Sequence, residues 1–161
     1  MASDGAKGRT ALRQAQGERI LGFMNTSSGQ ADFVVAREAL DAMRAAAAAA
    51  HPHEACGLLL GEGARITAAR DTANVHPAPA THFEIDPQAL IDAHRAARAG
   101  GAQVLGYFHS HPTGAPEPSA TDRAMAAHDG RIWAIIAGDE VRLWRDGDAD
   151  FVALSFTKIE S

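Results

Sequence analysis

The sequence predicts a mixed α/β domain of the α+β kind, with a largely antiparallel sheet flanked by helices. Three observations predict it. Segments of strand length rich in apolar residues recur at residues 55–60, 103–111, 131–137 and 141–145, each followed by Gly, Pro or Asp. Two longer stretches, residues 36–50 and 87–99, carry apolar side chains at helical spacing. Between the last strands lie Gly138-Asp139 and Asp146-Gly147, which suit hairpin turns.

Phe33-Val34-Val35 opens the domain as a short strand. Residues 36–50 then form a helix. Leu40, Met43 and Ala47 fall on one face, and the alanines at 45–50 have the strongest helix propensity of any residue. Pro52 stops it. Residues 55–60 are a buried strand closed by Gly61-Glu62-Gly63, and residues 64–74 are its hairpin partner. Pro77 and Pro79 mark a loop, after which residues 81–85 alternate as a strand does. Asp86 and Pro87 start the second helix as N-cap and N1. Leu90, Ile91, His94 and Ala97 are expected on its inner side, and Gly100-Gly101 ends it. Residues 103–111 form a central strand, residues 112–118 a Pro/Gly loop, and residues 119–128 a short helix. Residues 131–137, 141–145 and 151–156 are three closing strands.

Residues 1–30 are polar, dotted with Gly and Ser and without periodicity, and read as a disordered tail before a domain at 31–161. The formal net charge of −5 argues against a nucleic-acid partner, which calls for a basic face. The single cysteine, Cys56, excludes an intramolecular disulfide and points to a cytoplasmic setting. No apolar run approaches the ~20 residues of a membrane span, and none suits a signal peptide.

The chemistry concentrates between Val104 and Ala127. Residues two apart on a strand share a face, so His109 and His111 point the same way, together with Tyr107 and Leu105. Two imidazoles so placed can hold one metal ion, and Asp122, in the first turn of the next helix, can add a carboxylate. Two His and one Asp leave a fourth tetrahedral position for water, the mark of a catalytic zinc. A base is then needed. Glu54, an acid entering the apolar strand from Ala55, is the best placed upstream. Ser119 can donate a hydrogen bond to the developing oxyanion.

Glu54, His109-Ser110-His111, Ser119 and Asp122 together resemble the JAMM (MPN+) metalloprotease signature, H-x-H-x(7)-S-x-x-D with a distant upstream Glu. The match is complete at all five functional positions. The neighbouring runs His51-Pro52, Glu54-Ala55-Cys56-Gly57-Leu58-Leu59, His82-Phe83-Glu84-Ile85 and Gly106 to Pro112 resemble the short bacterial branch, and the likeness covers residues 31–156. The resemblance implies a cytidine-deaminase-like MPN fold. It implies one zinc per chain on His109, His111 and Asp122, with Glu54 as general base and acid and Ser119 steadying the tetrahedral intermediate. It also implies amide hydrolysis, with the C-terminal Gly-Gly tail of a ubiquitin-like sulfur carrier protein as the substrate suited to so compact a chain. A deubiquitinase-like or general peptide hydrolase outside sulfur metabolism, and a non-catalytic MPN-type scaffold, are the alternatives. A homodimer stays open, as does the metal: two imidazoles and a carboxylate favour zinc over iron or manganese.

Blander readings compete at several positions. Ser119-x-x-Asp122 is also a capping box, and both roles can hold together. His51-x-His53 is broken by Pro52, and His53-Glu54-Ala55-Cys56-Gly57 lacks the second histidine of a zincin. Cys56 reads as an inert buried thiol, Trp133 and Trp144 as sheet-face aromatics, and His82, His94 and His128 as surface or packing histidines, His128 at a helix C-terminus.

Overall fold

The computed structural model describes residues 29–160 of the chain, so the tail expected over residues 1–30 lies, but for its last two residues, outside it. Phe33–Ser161 forms one compact unit. Its eight strands are β1 (Phe33–Ala36), β2 (Cys56–Glu62), β3 (Arg65–Thr72), β4 (Gln103–Ser110), β5 (Ile132–Ala137), β6 (Glu140–Asp146), β7 (Phe151–Leu154) and β8 (Phe156–Ile159). Three helices interrupt them: α1 (Arg37–Ala50), α2 (Pro87–Arg98) and α3 (Ala120–Met125). The strands form one mixed sheet in the order β7-β6-β5-β4-β2-β3-β1-β8. The pairs β2/β3, β2/β4, β5/β6 and β6/β7 are antiparallel. β4/β5, β1/β3 and β1/β8 are parallel.

The two faces of the sheet are covered by different helices. On one, Ala39, Leu40, Met43 and Ala46 of α1 pack with Val35, Leu59, Phe108, Ile136 and Leu143. On the other, Ala93 and Leu90 of α2 pack with Leu58, Leu60, Phe83, Val104 and Trp133. Cover on both sides explains why β2 reads as an unbroken apolar run rather than an alternating one. Gly106 lets β4 and β5 approach: a Cβ there would overlap the Ile132 carbonyl. The parallel β4/β5 pair needs a crossover, and the loop carrying α3 supplies it. The α3 start therefore lies near the C-terminal end of β4, in the middle of the sheet.

Five local expectations are corrected. Residues 81–85 form no strand. They make one bridge, Asn74 to Ile85, because the Asn74 side chain takes the hydrogen bonds a ladder would need, accepting from Glu84 N–H at 3.0 Å and donating to His82 O at 3.0 Å. Residues 151–156 are not a single strand, since the strand is broken at Ser155 and β7 pairs with β6 while β8 pairs with β1. α3 stops at Met125, so His128 caps no helix; it adopts a left-handed φ of 56° with its N–H on Asp146 Oδ2. Leu105 does not share a face with Tyr107: a bulge opposite Leu59/Leu60 shifts the alternation and turns Leu105 toward the α1 side. Ile91 is 49% exposed, because the inward stripe of α2 runs through Leu90, Ala93 and Ala97.

Candidate metal centre and active site

His109 is the penultimate residue of β4, and His111 lies one residue past the strand end. The register sets Cys56 of β2 opposite His109. One step further, Ala55 N–H donates to Ser110 Oγ at 2.8 Å, and Ser110 N–H donates to Ala55 O at 3.0 Å. These bonds carry Glu54 up beside the two histidines. Its main chain is fixed again from the other side, by Asn74 Nδ2 on Glu54 O at 3.0 Å and by its own N–H on Pro79 O at 2.8 Å. The early strand and the later one thus meet, as the site requires.

α3 brings in the third group. Ser119 is its N-cap, with Oγ accepting from Asp122 N–H at 3.0 Å, while Asp122 Oδ2 accepts from Ser119 N–H at 2.9 Å. This complete capping box locks the Asp122 carboxylate in place. Its Oδ1 lies 3.1 Å from His109 Nε2 and its Oδ2 3.1 Å from His111 Nε2. The two Nε2 atoms are themselves 3.1 Å apart. A neutral imidazole presents one N–H and a carboxylate none, so hydrogen bonds cannot serve all three close contacts fully. A cation among the three can. Donor atoms bonded to one tetrahedral zinc at about 2.0–2.1 Å sit roughly 3.3–3.4 Å apart, which these positions nearly match. The residues fit a metal ion.

The electrostatics separate the two carboxylates. Burial works against the charge on Asp122, but the hydrogen bonds from His109 and His111 outweigh it and hold the carboxyl well below the usual range. Glu54, only 5% exposed, is pushed by burial up to about 7, against the pull of His111. Burial lowers the pKa of His109 and keeps the ring neutral. For His111 burial pulls the same way, yet Asp122 and the Ala115 carbonyl prevail and raise it. His111 Nδ1 donates to Ala115 O at 2.8 Å, which turns Nε2 toward the site.

Donor atoms of Glu54, His109 and His111 lie within 4.8 Å of one another. A metal set of Glu54 with the two histidines is therefore conceivable on distance, but Asp122 stands closer to both rings and is the carboxylate held ionised. All five residues singled out in the sequence converge here. The structure adds three that the sequence reading gave no role. Ser110 bridges the strands, Asn74 anchors Glu54, and Phe83 stacks on the His109 ring at 4.3 Å and 16°. A signal existed for Ser110: strand alternation turns it away from the face that His109 and His111 share. Trp133 meets His109 edge-on at 5.6 Å. Among the described residues, the buried His109 Nδ1 has no partner. Cys56 matches its bland reading, for burial pushes the thiol up to about 11.

Residues 36–147 match the family described as prokaryotic homologs of the JAB domain. The chain is 39% identical over 98 residues to a desampylase of Haloferax volcanii, covering 60% of this chain and 70% of that one. It is 36% identical over 121 residues to a probable TtuB-protein conjugate cleaving protease of Thermus thermophilus, covering 74% and 80%. A solution structure of a protein from Desulfitobacterium hafniense superposes with a TM-score of 0.72 at 28% identity, over 80% of this chain and 94% of the other.

Proposed function

The chain belongs to the family of prokaryotic homologs of the JAB domain, and from that premise we propose that it is a zinc-dependent isopeptidase or peptidase acting at the C-terminal Gly-Gly tail of a ubiquitin-like sulfur carrier protein. The observation that carries the reading is the triangle of His109 Nε2, His111 Nε2 and Asp122, each pair 3.1 Å apart, with the buried Glu54 beside it. The relatives named desampylase and TtuB-conjugate cleaving protease support the choice of substrate class.

His109, His111 and Asp122 would hold one zinc ion, the rings through Nε2 and the carboxylate as an anion. When bound, the metal supplies Lewis acidity, polarising the scissile carbonyl and making water acidic near neutral pH. Glu54 takes the proton of the attacking water at its carboxylate and passes it to the departing amine nitrogen. Burial, which raises the pKa of this carboxyl above the ordinary carboxylate range in the metal-free chain, makes Glu54 a readier proton acceptor than an exposed glutamate. Asn74 and Pro79 hold the Glu54 backbone so that the carboxyl need not be repositioned between the two transfers. Ser119 Oγ spends a lone pair on the cap, and its own hydrogen remains free to steady the oxyanion.

The test offers the zinc-loaded chain two kinds of substrate, sulfur carriers extended beyond Gly-Gly and ubiquitin chains, with products read by mass spectrometry. Trimming of the extended carriers to Gly-Gly is expected. Cleavage of ubiquitin chains alone would move the activity outside sulfur metabolism, and cleavage of neither would sink the proposal.

A further inference from the structure

Beyond the residues that meet at the centre, the loop 112–118 between β4 and α3 decides how one of them is held. Among the described residues, no main-chain to main-chain hydrogen bond holds this loop. Side chains hold it instead. Ala115 O accepts from His111 Nδ1 at 2.8 Å, Pro116 O from Trp144 Nε1–H at 3.1 Å, and Pro118 O from Arg123 at 2.6 Å. Arg142 meets the Glu117 carboxylate at 3.1 Å.

The Ala115 carbonyl matters most, because His111 lies past the strand end and that bond sets its ring from the Nδ1 side. Gly114, just before it, adopts a φ of 102° with open space where a Cβ would stand, so the chain is not braced from there. Bracing comes from the other side. The Pro116 ring fixes its own φ, so a single free torsion, the ψ of Pro116, separates the Ala115 and Pro116 carbonyls. Whatever holds Pro116 O therefore also aims Ala115 O. Arg142 and Arg123 act one and two residues further on, from side chains 47% and 50% exposed, where water competes for their contacts. Trp144 of β6 stands opposite Trp133 of β5 and packs with the cluster under α2, so its donor is rigid.

We propose that Trp144 is a positioning residue of the metal centre, its indole N–H fixing, by way of Pro116, the Ala115 carbonyl that orients His111. The inference rests on the reading of His111 as a metal ligand. It gives Trp144 a task that its place on the sheet face does not reveal, since the ring packs in the sheet and the N–H reaches the loop. His109 needs no such brace, being fully buried and stacked on Phe83. The centre thus draws on β6, a strand that supplies none of the three ligating residues.

Trp144→Phe keeps a ring and removes the N–H. In the metal-free full chain, NMR follows solvent exchange of the His111 Nδ1 proton. It should quicken about fivefold, while exchange of the Ser110 N–H on Ala55 O stays as it is. Zinc affinity, by competition with a chromophoric chelator, should fall about tenfold. Since the smaller ring can also loosen the sheet, benzothienylalanine at position 144, with sulfur in place of the N–H, serves as a second variant and should reproduce both effects. Arg142→Gln, which cuts the exposed contact to Glu117, should leave both at their wild-type values. An unchanged His111 proton or zinc affinity in Trp144→Phe, equal quickening of the Ser110 N–H, wild-type behaviour of the benzothienyl variant, or an equal effect of Arg142→Gln would overturn the inference. The exchange measurement involves neither metal nor hydrolysis, so its outcome is separate from that of the proposed activity.

Discussion

Replacing Glu54 with Gln should abolish hydrolysis and yet stabilise the metal-free protein at alkaline pH. The carboxyl is 5% exposed, and burial moves its pKa from an ordinary 4.5 to about 7. In the unfolded chain it loses its proton as the pH passes 4.5; in the folded protein it keeps it until about 7. Across that window the native state binds more protons, so stability present below 4.5 drains away as the pH rises. At 1.36 kcal/mol per tenfold, the full loss is at most about 3 kcal/mol, complete by roughly pH 8, with under about 1 kcal/mol gone at pH 5. Glutamine has nearly the same shape and no charge, so this term vanishes. Urea unfolding of the metal-free wild type and Glu54→Gln, at pH 5 and pH 8, measures the difference. The variant should gain up to about 3 kcal/mol at pH 8 and little at pH 5. Zinc should shrink the gain, because a neighbouring cation favours the carboxylate. An identical difference at both pH values, or a less stable variant at pH 8, would refute the reasoning.

Three further outcomes are expected. The raised pKa of His111 means that zinc uptake must displace a proton, so affinity by competition with a chromophoric chelator should fall about tenfold per pH unit once the pH is below that pKa; a flat profile would count against His111 as a ligand. Ser119→Ala loses the capping box, and thermal or urea unfolding should show a cost of about 1 kcal/mol. Its kcat should drop about a hundredfold with KM little changed, and full activity would remove Ser119 from the oxyanion role. Ser110→Ala strands the buried Ala55 N–H, which should cost about 1–3 kcal/mol in urea unfolding and lower kcat by displacing Glu54; an unaltered unfolding midpoint would show that water replaces the hydroxyl.

What the sequence made legible was local or repeated at short range. Asp86 and Pro87 cap α2 as expected, with the Asp86 carboxylate accepting from Gln88 N–H at 3.1 Å. The spacing of His109, His111 and Asp122 survived intact because one strand end and the helix start after it determine it. Where long-range pairing decides, the sequence is silent. The shift of Leu105 to the other face follows from a bulge against β2, some forty-five residues earlier in the chain. Residues 81–85 have the alternation of a strand, but the Asn74 side chain takes their hydrogen bonds. Ser155 looks like the middle of a strand until the partners of its two neighbours are known. The spacing of Leu90, Ile91, His94 and Ala97 places Ile91 inward, whereas the smaller Ala93 fixes the buried face of α2.

The strand break at Ser155 also bears on how the protein is made. β8 lies beside β1 with Phe33 opposite Phe156, and the Arg37–Glu160 pair closes a separation of 123 residues. Of the described strands, a chain leaving the ribosome presents β1 first and its outer neighbour β8 last. Until residue 159 emerges, one edge of β1 stays open, with Phe33 and Val35 beside an unfilled row of backbone donors and acceptors. β2, β3 and β4, which carry or brace much of the proposed centre, can meet long before that. A nascent or truncated chain lacking β8 would hold much of this machinery behind an adhesive border, and strand exchange with a second such chain is the hazard that the last four paired residues remove.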